Sequence, residues 1–230
     1  MVADTEAPAA PPVASDVFGS GMELADRYAR LLVQHGVERG LIGPRETDRL
    51  WERHLLNSAV VGERIPHGAS VLDIGSGAGL PGVALAIARP DLDVVLVEPM
   101  ARRVLWLEEV IHNLGLSVTV MRGRAETREM RDGLSGAAIV TARAVAPLGR
   151  LAEWCLPLLR PHGQLVAMKG ESAAEELERD ARQIERAGGV DARVEQCGVA
   201  VLEVPTTVVV IDRSDRRGGN DGRRRARKDR

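Results

Sequence analysis

A glycine-rich segment, VLDIGSGAGLPG at residues 71–82, constrains the fold of this chain more than any other feature. It starts as an apolar run with one acid and continues with glycine at positions 75, 77 and 79. Glycine permits positive φ and lets the backbone approach a ligand that a Cβ atom would exclude. Pro81 suits the first position of a helix, where its missing N–H has no partner to lose. The segment therefore predicts a strand, a cofactor-binding loop and a helix, in that order.

Two cofactor classes are compatible with this loop. Residues 77–82 match the dinucleotide pattern G-x-G-x-x-G, and Glu98 closes a second apolar run about 20 residues later, where a ribose hydroxyl would be bound. Asp73 indicates the other class, because a carboxylate is repelled by a pyrophosphate but attracted by the methionine ammonium of S-adenosylmethionine (SAM). The loop thus favours SAM. An NAD(P)-dependent oxidoreductase and a plain turn without a ligand are the alternatives.

The composition indicates one aliphatic domain in a reducing compartment. The chain has 230 residues, of which 44% are hydrophobic and only 2% aromatic, so we expect one core and no base stacking on several aromatic rings. Cys155 and Cys197 are too few for a disulfide scaffold or a cysteine metal site, and we expect no metal. The sequence lacks an apolar stretch of about 20 residues and a signal peptide pattern. We expect a cytoplasmic protein.

Charge and composition change at the two ends of the chain. Residues 213–230 contain nine Lys or Arg and three Asp, so they carry +6, while the first 212 residues carry −8. Residues 1–15 are rich in Ala and Pro. We expect both tails, 1–15 and 213–230, to be disordered. The remaining residues, 16–212, form a single domain in this interpretation, with helices at 16–65 and a Rossmann-like core at 66–212.

Hydrophobic periodicity predicts an alternation of strands and helices in the core. The strand candidates are residues 70–74, 94–97, 118–121, 137–141, 165–168, 190–195 and 208–211. Amphipathic stretches separate the first six, at residues 80–88, 101–114, 125–131, 148–159 and 172–187. Such alternation is typical of a doubly wound α/β fold. The last two strands have no helix between them, which predicts a seven-stranded sheet with an antiparallel terminal strand, as in SAM methyltransferases.

Several motifs resemble those of one family. They are RHLLNS at residues 53–58, the loop at 71–82, Arg124-Ala125-Glu126, Thr141-Ala142-Arg143-Ala144 and Met168-Lys169-Gly170. Together they resemble the RsmG (GidB) family over roughly residues 24–211. The resemblance implies a SAM-dependent methyltransferase that modifies guanine N7 in bacterial 16S rRNA. It further implies the 30S subunit as partner, no membrane, no obligate protein partner and a monomeric enzyme.

The resemblance also implies which residues bind the cofactor. The loop would contact the methionine part of SAM, Glu98 would accept hydrogen bonds from the ribose, and Ala125 and Glu126 would bind adenine. A solvated acid in the first turn of a helix is the alternative for Glu126. The full set of expected cofactor residues is Asp73, Gly75, Gly77, Gly79, Leu80, Glu98, Ala125, Glu126 and Arg143.

Five cations follow strand ends, where open α/β sheets bind ligands, and we expect the folded sheet to bring them around one opening: Arg102, Arg103, Arg124, Arg143 and Lys169. Arg102, Arg103, Arg124 and Lys169 are candidates for RNA phosphate contacts. Surface arginines on a helix are the alternative for Arg102 and Arg103. The family often has Gly-Lys-Arg where this chain has Ala101-Arg102-Arg103, and Asp where this chain has Asn57. We interpret His54 as a packed or capping histidine.

Guanine N7 carries a lone pair and no proton, so its methylation needs no general base, nucleophile or metal. Positioning and electrostatics would then supply most of the catalysis. Arg143 and Lys169 are the candidates for catalytic contacts with the guanine or its phosphate. Because this chemistry has no obligatory catalytic residue, a SAM-binding RNA-association protein without turnover is a further alternative.

Overall fold

The computed structural model describes residues 7–215, and its centre is one seven-stranded sheet. The strand order is β3-β2-β1-β4-β5-β7-β6. The strands are β1 (Ser70–Ile74), β2 (Asp93–Glu98), β3 (Thr119–Arg122), β4 (Ala137–Arg143), β5 (Leu159–Met168), β6 (Gly189–Cys197) and β7 (Thr206–Arg213). The first five are parallel, and β7 is antiparallel to both β5 and β6. The predicted sheet with its antiparallel end is confirmed.

Helices cover both faces of this sheet. The helices of the core are α4 (Gly82–Ala88), α5 (Ala101–Leu114), α6 (Arg128–Leu134), α7 (Leu148–Cys155) and α8 (Ala173–Arg186). Buried residues of α4 and α5 belong to one apolar cluster, and buried residues of α6, α7 and α8 belong to a second. Because β1 pairs with β2 on one side and β4 on the other, the connections diverge at the carboxyl ends of β1 and β4. Ligands of doubly wound folds bind at such a point.

The N-terminal helices pack on the same face as α4 and α5. They are α1 (Val13–Phe18), α2 (Met22–His35) and a series of short turns that includes a π-helical turn, Trp51–Leu56, and a one-turn helix, α3 (Asn57–Ala59). Trp51 packs edge-on against Phe18, and its indole N–H donates to the carbonyl oxygen of Pro8 at 2.9 Å. The helical extension expected at residues 16–65 is therefore part of the main core.

The expectation of disordered tails was wrong at both inner boundaries. Residues 7–15 are ordered because Pro8 accepts the Trp51 hydrogen bond and Ala14 is fully buried. At the other end β7 continues through Arg213, whose guanidinium donates to the carbonyl oxygens of Pro157 and Leu159. The rest of the expected tails, residues 1–6 and 216–230, lies outside the described residues.

Several element boundaries differ from the periodicity prediction, with local causes. The helix predicted from residue 80 begins at Gly82, after Pro81. The helix predicted from residue 125 begins at Arg128, because the Thr127 hydroxyl accepts a hydrogen bond from the amide of Met130 and caps it. Within residues 7–215 no helix is long and apolar enough to cross a membrane, and no group of three or more His, Cys, Asp or Glu could hold a metal ion.

Candidate active site

The glycine loop joins β1 to α4 with three residues at positive φ. Gly75, Gly77 and Gly79 have φ values of 71°, 56° and 105°. A Cβ atom on Gly75 would lie 2.7 Å from Val145, and one on Gly79 would lie 2.7 Å from the Tyr28 hydroxyl. A Cβ atom on Gly77 would meet only the Gly75 carbonyl oxygen at 3.7 Å and the Arg103 guanidinium at 3.9 Å. Packing therefore requires the outer two glycines, whereas a Cβ atom on Gly77 would make only ordinary van der Waals contacts.

Two buried aromatic side chains hold the middle of this loop. The Tyr28 hydroxyl of α2 and the Trp106 indole N–H of α5 both donate to the carbonyl oxygen of Ala78, each at 2.9 Å. Both side chains are fully buried. Neither Tyr28 nor Trp106 was among the residues predicted from the sequence to form the site. The available signal was general: a buried Tyr or Trp needs a partner for its polar atom.

Asp73 lies beneath the loop. Its carboxylate is fully buried and accepts hydrogen bonds from the amide of Gly82 at 3.1 Å and from the Thr141 hydroxyl at 3.3 Å. Burial raises the pKa of this carboxyl to about 6. The side chain thus ties β1 to the start of α4 and to β4. It is not among the residues that line the cleft described next, so any effect on a bound cation acts through the loop.

A cleft with a volume of about 270 Å³ opens at the carboxyl ends of β1 to β4. Its lining includes Gly75, Glu98, Ala125, Glu126 and Ala144. We call this the cofactor cleft. It contains four of the nine expected cofactor residues, and Arg143 lines a neighbouring cleft. The remaining four do not line the cofactor cleft: Asp73, Gly77, Gly79 and Leu80.

Glu98 connects the cofactor cleft to the loop. Its carboxylate is 1% exposed and accepts hydrogen bonds from the amide of Gly77 at 3.0 Å and from the amide of Met100 at 2.9 Å. A carboxylate has about four acceptor positions, so about two remain for a ligand. Glu98 therefore orders the loop and retains the capacity to bind a pair of hydroxyl groups.

The five expected cations separate into three environments. Arg103 and Arg124 line the cofactor cleft, 3.9 Å from Glu98 and 3.7 Å from Glu126 respectively. Arg102 is exposed at the start of α5. The remaining two, Arg143 and Lys169, line a second cleft. We had predicted from the sequence that all five cations surround one opening. The structure does not bring them together in that way.

This second cleft, with a volume of about 480 Å³, lies beside the first, and we call it the substrate cleft. Its lining includes Arg53, Asn57, Arg143, Lys169 and Val204. Ala144 lines both clefts and has a positive φ of 54°, which is uncommon for a residue with a Cβ atom. The two clefts therefore meet at the end of β4.

The two expected cations of the substrate cleft, Arg143 and Lys169, are held by protein groups. Arg143 donates to the Ser58 hydroxyl, the Arg53 carbonyl oxygen and His54. Lys169 donates to the Ala146 carbonyl oxygen at 3.0 Å and to Glu176 at 2.8 Å, and its side chain is 11% exposed. Glu176 thus largely neutralises the charge of Lys169. The sequence did not predict this ion pair.

Solved structures with similar folds bind SAM. A SAM-dependent methyltransferase from Aquifex aeolicus superposes with a TM-score of 0.54 at 17% identity, covering 77% of this chain and 96% of that one. Fibrillarin from Aeropyrum pernix, solved with natively bound S-adenosyl-L-methionine, gives a TM-score of 0.52 at 17% identity, covering 70% and 75%. The seven-stranded sheet with its antiparallel end and these neighbours give this chain the fold of the SAM-dependent methyltransferases.

Sequence comparison then gives the family. Residues 22–204 match the model of the GidB family, rRNA small subunit methyltransferase G, and the chain belongs to this family. A ribosomal RNA small subunit methyltransferase G from Mycobacterium marinum is 56% identical over 207 residues, covering 90% of this chain and 91% of that one. The corresponding protein from Rhodococcus jostii is 55% identical over 204 residues, covering 89% and 90%. Family membership removes the oxidoreductase alternative.

Proposed function

We propose that this protein transfers the methyl group of SAM to N7 of a guanine in 16S rRNA of the small ribosomal subunit. The observation that carries this proposal is the meeting of the cofactor cleft and the substrate cleft at Ala144. The cofactor cleft contains Glu98, which can bind ribose hydroxyls, and the substrate cleft contains Arg143, which can bind a phosphate-bearing substrate. Family membership supports the same activity.

The residues of the cofactor cleft fit SAM. Glu98 retains acceptor positions and accepts from the loop amide of Gly77, and Ala125 and Glu126, the proposed contacts for adenine, lie in the wall of this cleft. Asp73 places a buried carboxyl behind the loop. When bound, SAM supplies an electrophilic methyl group on a sulfonium. The protein groups named here hold and orient it.

The substrate cleft needs no residue that moves a proton. Guanine N7 attacks with a lone pair, so the protein must position the base and stabilise charge. Arg143 and Lys169 are the proposed contacts for the guanine or its phosphate. Neither cysteine is suited to be a nucleophile: burial raises the pKa of Cys155 far above neutral pH and that of Cys197 to about 11. Both thiols are therefore protonated at neutral pH.

Arg102 and Arg124 are the proposed contacts for the rRNA backbone outside the substrate cleft. Arg102 is exposed, and the Arg124 side chain is 68% exposed beside the cofactor cleft. Phosphate contacts of this kind set affinity and register without reading bases. We further propose that the protein acts in the cytoplasm as a monomer on the 30S subunit.

A methyl-transfer assay tests this function. The protein is incubated with labelled SAM and 30S subunits from cells that lack this methylation, and the rRNA is then digested to nucleosides. We expect label in 7-methylguanosine at one position of 16S rRNA. Methylated subunits from wild-type cells are the matched control and should accept no label. SAM binding without transfer would instead support the RNA-association alternative.

A further inference from the structure

Arg143 is held in the wall of the substrate cleft by the segment that contains the π-helical turn. Its guanidinium donates to the Ser58 hydroxyl at 3.3 Å, to the Arg53 carbonyl oxygen at 3.1 Å and to His54 Nδ1 at 2.6 Å. These partners are 85 to 90 residues away in the sequence. Of the five N–H groups of an arginine, two remain without a described partner within residues 7–215. They are available to a ligand in the cleft.

The contact between Arg143 and His54 determines the tautomer of the imidazole. A guanidinium can only donate, so Nδ1 of His54 must carry a lone pair and the proton must lie on Nε2. Nε2 is 2.8 Å from a carboxylate oxygen of Glu46, which accepts that proton in a hydrogen bond. Glu46 therefore orients His54, and His54 in turn accepts from Arg143.

This arrangement is compatible only with a neutral His54. A protonated imidazole would direct an N–H of Nδ1 at an N–H of Arg143 across 2.6 Å, and the contact would be lost. Three charged groups face the ring: Arg143 from β4, Glu46 from the preceding loop and Arg53 from the same turn. Burial, followed by the charge of Arg143, lowers the pKa of His54 despite the opposing effect of Glu46.

We propose that Glu46 and His54 are positioning residues of the methyl transfer, which hold Arg143 at the substrate cleft through a neutral imidazole. The proposal rests on the proposed function, because it assigns the held group to substrate binding. A histidine that only filled space would need neither a fixed tautomer nor a carboxylate partner. The geometry therefore predicts that the acid side of the pH profile reports His54.

Two substitutions of His54 separate positioning from packing. In His54→Ala no acceptor remains for Arg143, and we expect kcat/KM for 30S subunits to fall by about 10- to 100-fold at pH 7.5 with little change in SAM affinity. In His54→Asn the amide oxygen takes the place of Nδ1, so part of that activity should return. At saturating SAM, so that Asp73 does not contribute through cofactor affinity, the wild type should lose activity as the pH falls through the lowered pKa of His54, whereas the asparagine variant should lack this limb.

Glu46→Gln tests the other end of the chain of contacts. The amide oxygen still accepts from Nε2, but the negative charge that favours a protonated imidazole is removed. We expect the acid limb to move to lower pH. Glu52→Gln is the matched control, since Glu52 is exposed on the same turn and its substitution removes the same charge. It should leave the limb unchanged.

NMR of the imidazole nitrogens gives a result that does not depend on activity. We expect a proton on Nε2 and none on Nδ1 at neutral pH, and Arg143→Met should raise the pKa of His54. A proton on Nδ1, or an acid limb that persists in His54→Asn at saturating SAM, would overturn the positioning role. Failure of the wild type to methylate 30S subunits would overturn the proposed function instead, while the NMR result would still decide the contact geometry.

Discussion

The carboxyl of Asp73 has two effects: it accepts hydrogen bonds that fix the loop, and its negative charge is buried in the protein. Its pKa rises from 3.8 to about 6 on folding because burial disfavours the ionised form. Between these two values the folded state binds more protons than the unfolded state, so the free energy of unfolding rises as the pH falls from about 6 to about 4. At neutral pH the buried charge therefore opposes folding.

Asp73→Asn should separate the two effects. The amide oxygen can accept from the Gly82 amide while the NH₂ group donates to the Thr141 hydroxyl, so we expect the free energy of unfolding at pH 7 to stay equal or to rise, by up to roughly 1–3 kcal/mol. The contribution between pH 4 and 6 should disappear. SAM affinity should fall, because the negative charge behind the loop is lost. Urea unfolding at several pH values measures the free energy of unfolding, and calorimetric titration measures the SAM affinity. If the pH dependence of unfolding were the same in Asp73→Asn as in the wild type, the raised pKa of Asp73 would be contradicted.

Gly77 is the one of the three loop glycines at which a Cβ atom would not clash with the protein. Gly77→Val places a branched side chain against Arg103, which lines the cofactor cleft, and we expect the Kd for SAM to rise at least 10-fold in calorimetric titration. The positive φ also costs about 1–2 kcal/mol in stability. Gly115→Val is the control, because Gly115 has a similar φ of 66° with nothing within 4 Å of its Cβ position. That variant should lose stability but bind SAM normally.

At the scale of elements, two helices from different parts of the chain hold the cofactor loop. Tyr28→Phe removes one of the two hydrogen bonds to Ala78 and leaves the Trp106 bond. We expect a loss of about 0.5–1.5 kcal/mol in unfolding free energy and weaker SAM binding. Trp51→Phe is the control, because it also removes a hydrogen bond from an aromatic donor, but that bond goes to Pro8, away from the loop. If both variants weakened SAM binding equally, a specific role for Tyr28 would be ruled out.

Helices and strands were predicted more accurately from the sequence than the contacts of the site, because hydrophobic periodicity is a local property of the chain. Residues 70–74 were predicted as a strand from their apolar residues before Gly75, and β1 occupies those same residues. By contrast β5 begins at Leu159, six residues before the predicted strand, because Leu159 pairs with Ala137 and the register then shifts, so that Gln164 pairs with Ile139. The residues between Leu159 and Gln164 are mostly polar and leave no apolar period that predicts a strand.

The candidate site shows the same limit. Gly77 and Glu98 were predicted because a loop pattern and a strand end mark them locally, and a hydrogen bond joins them in the structure. The contact of Arg143 with His54 joins residues 89 positions apart, and the ion pair of Lys169 with Glu176 depends on how α8 returns to the sheet. Contacts of this kind follow from tertiary packing, which periodicity does not encode.

At the scale of the whole molecule, positive charge is concentrated in the C-terminal residues 213–230, and the proposed rRNA substrate is negatively charged. A deletion of this basic segment cannot begin at residue 213, because Arg213 belongs to β7 and donates to the carbonyl oxygens of Pro157 and Leu159. A deletion should therefore begin at residue 216, which removes eight Lys or Arg and two Asp. Such a deletion leaves all described residues intact.

We expect that deletion to raise the apparent KM for 30S subunits at low salt and to leave kcat and the methylated position unchanged. Nonspecific phosphate contacts weaken steeply with ionic strength, so the difference from the full chain should vanish at high salt. Steady-state kinetics over a salt series measures this. A lower kcat at saturating substrate, or label at another guanine, would mean that the segment takes part in recognition.

The hydrogen bonds of the glycine loop come from the protein itself, with consequences for the thermodynamics of cofactor binding. Glu98 holds the amide of Gly77, Tyr28 and Trp106 hold the carbonyl of Ala78, and Asp73 holds the amide of Gly82. Fixing the backbone of one residue costs about 1–2 kcal/mol in conformational entropy. Folding meets that cost here, so the ligand meets a surface already ordered to receive it, and the loop amides should exchange with solvent at nearly the same slow rate with and without SAM.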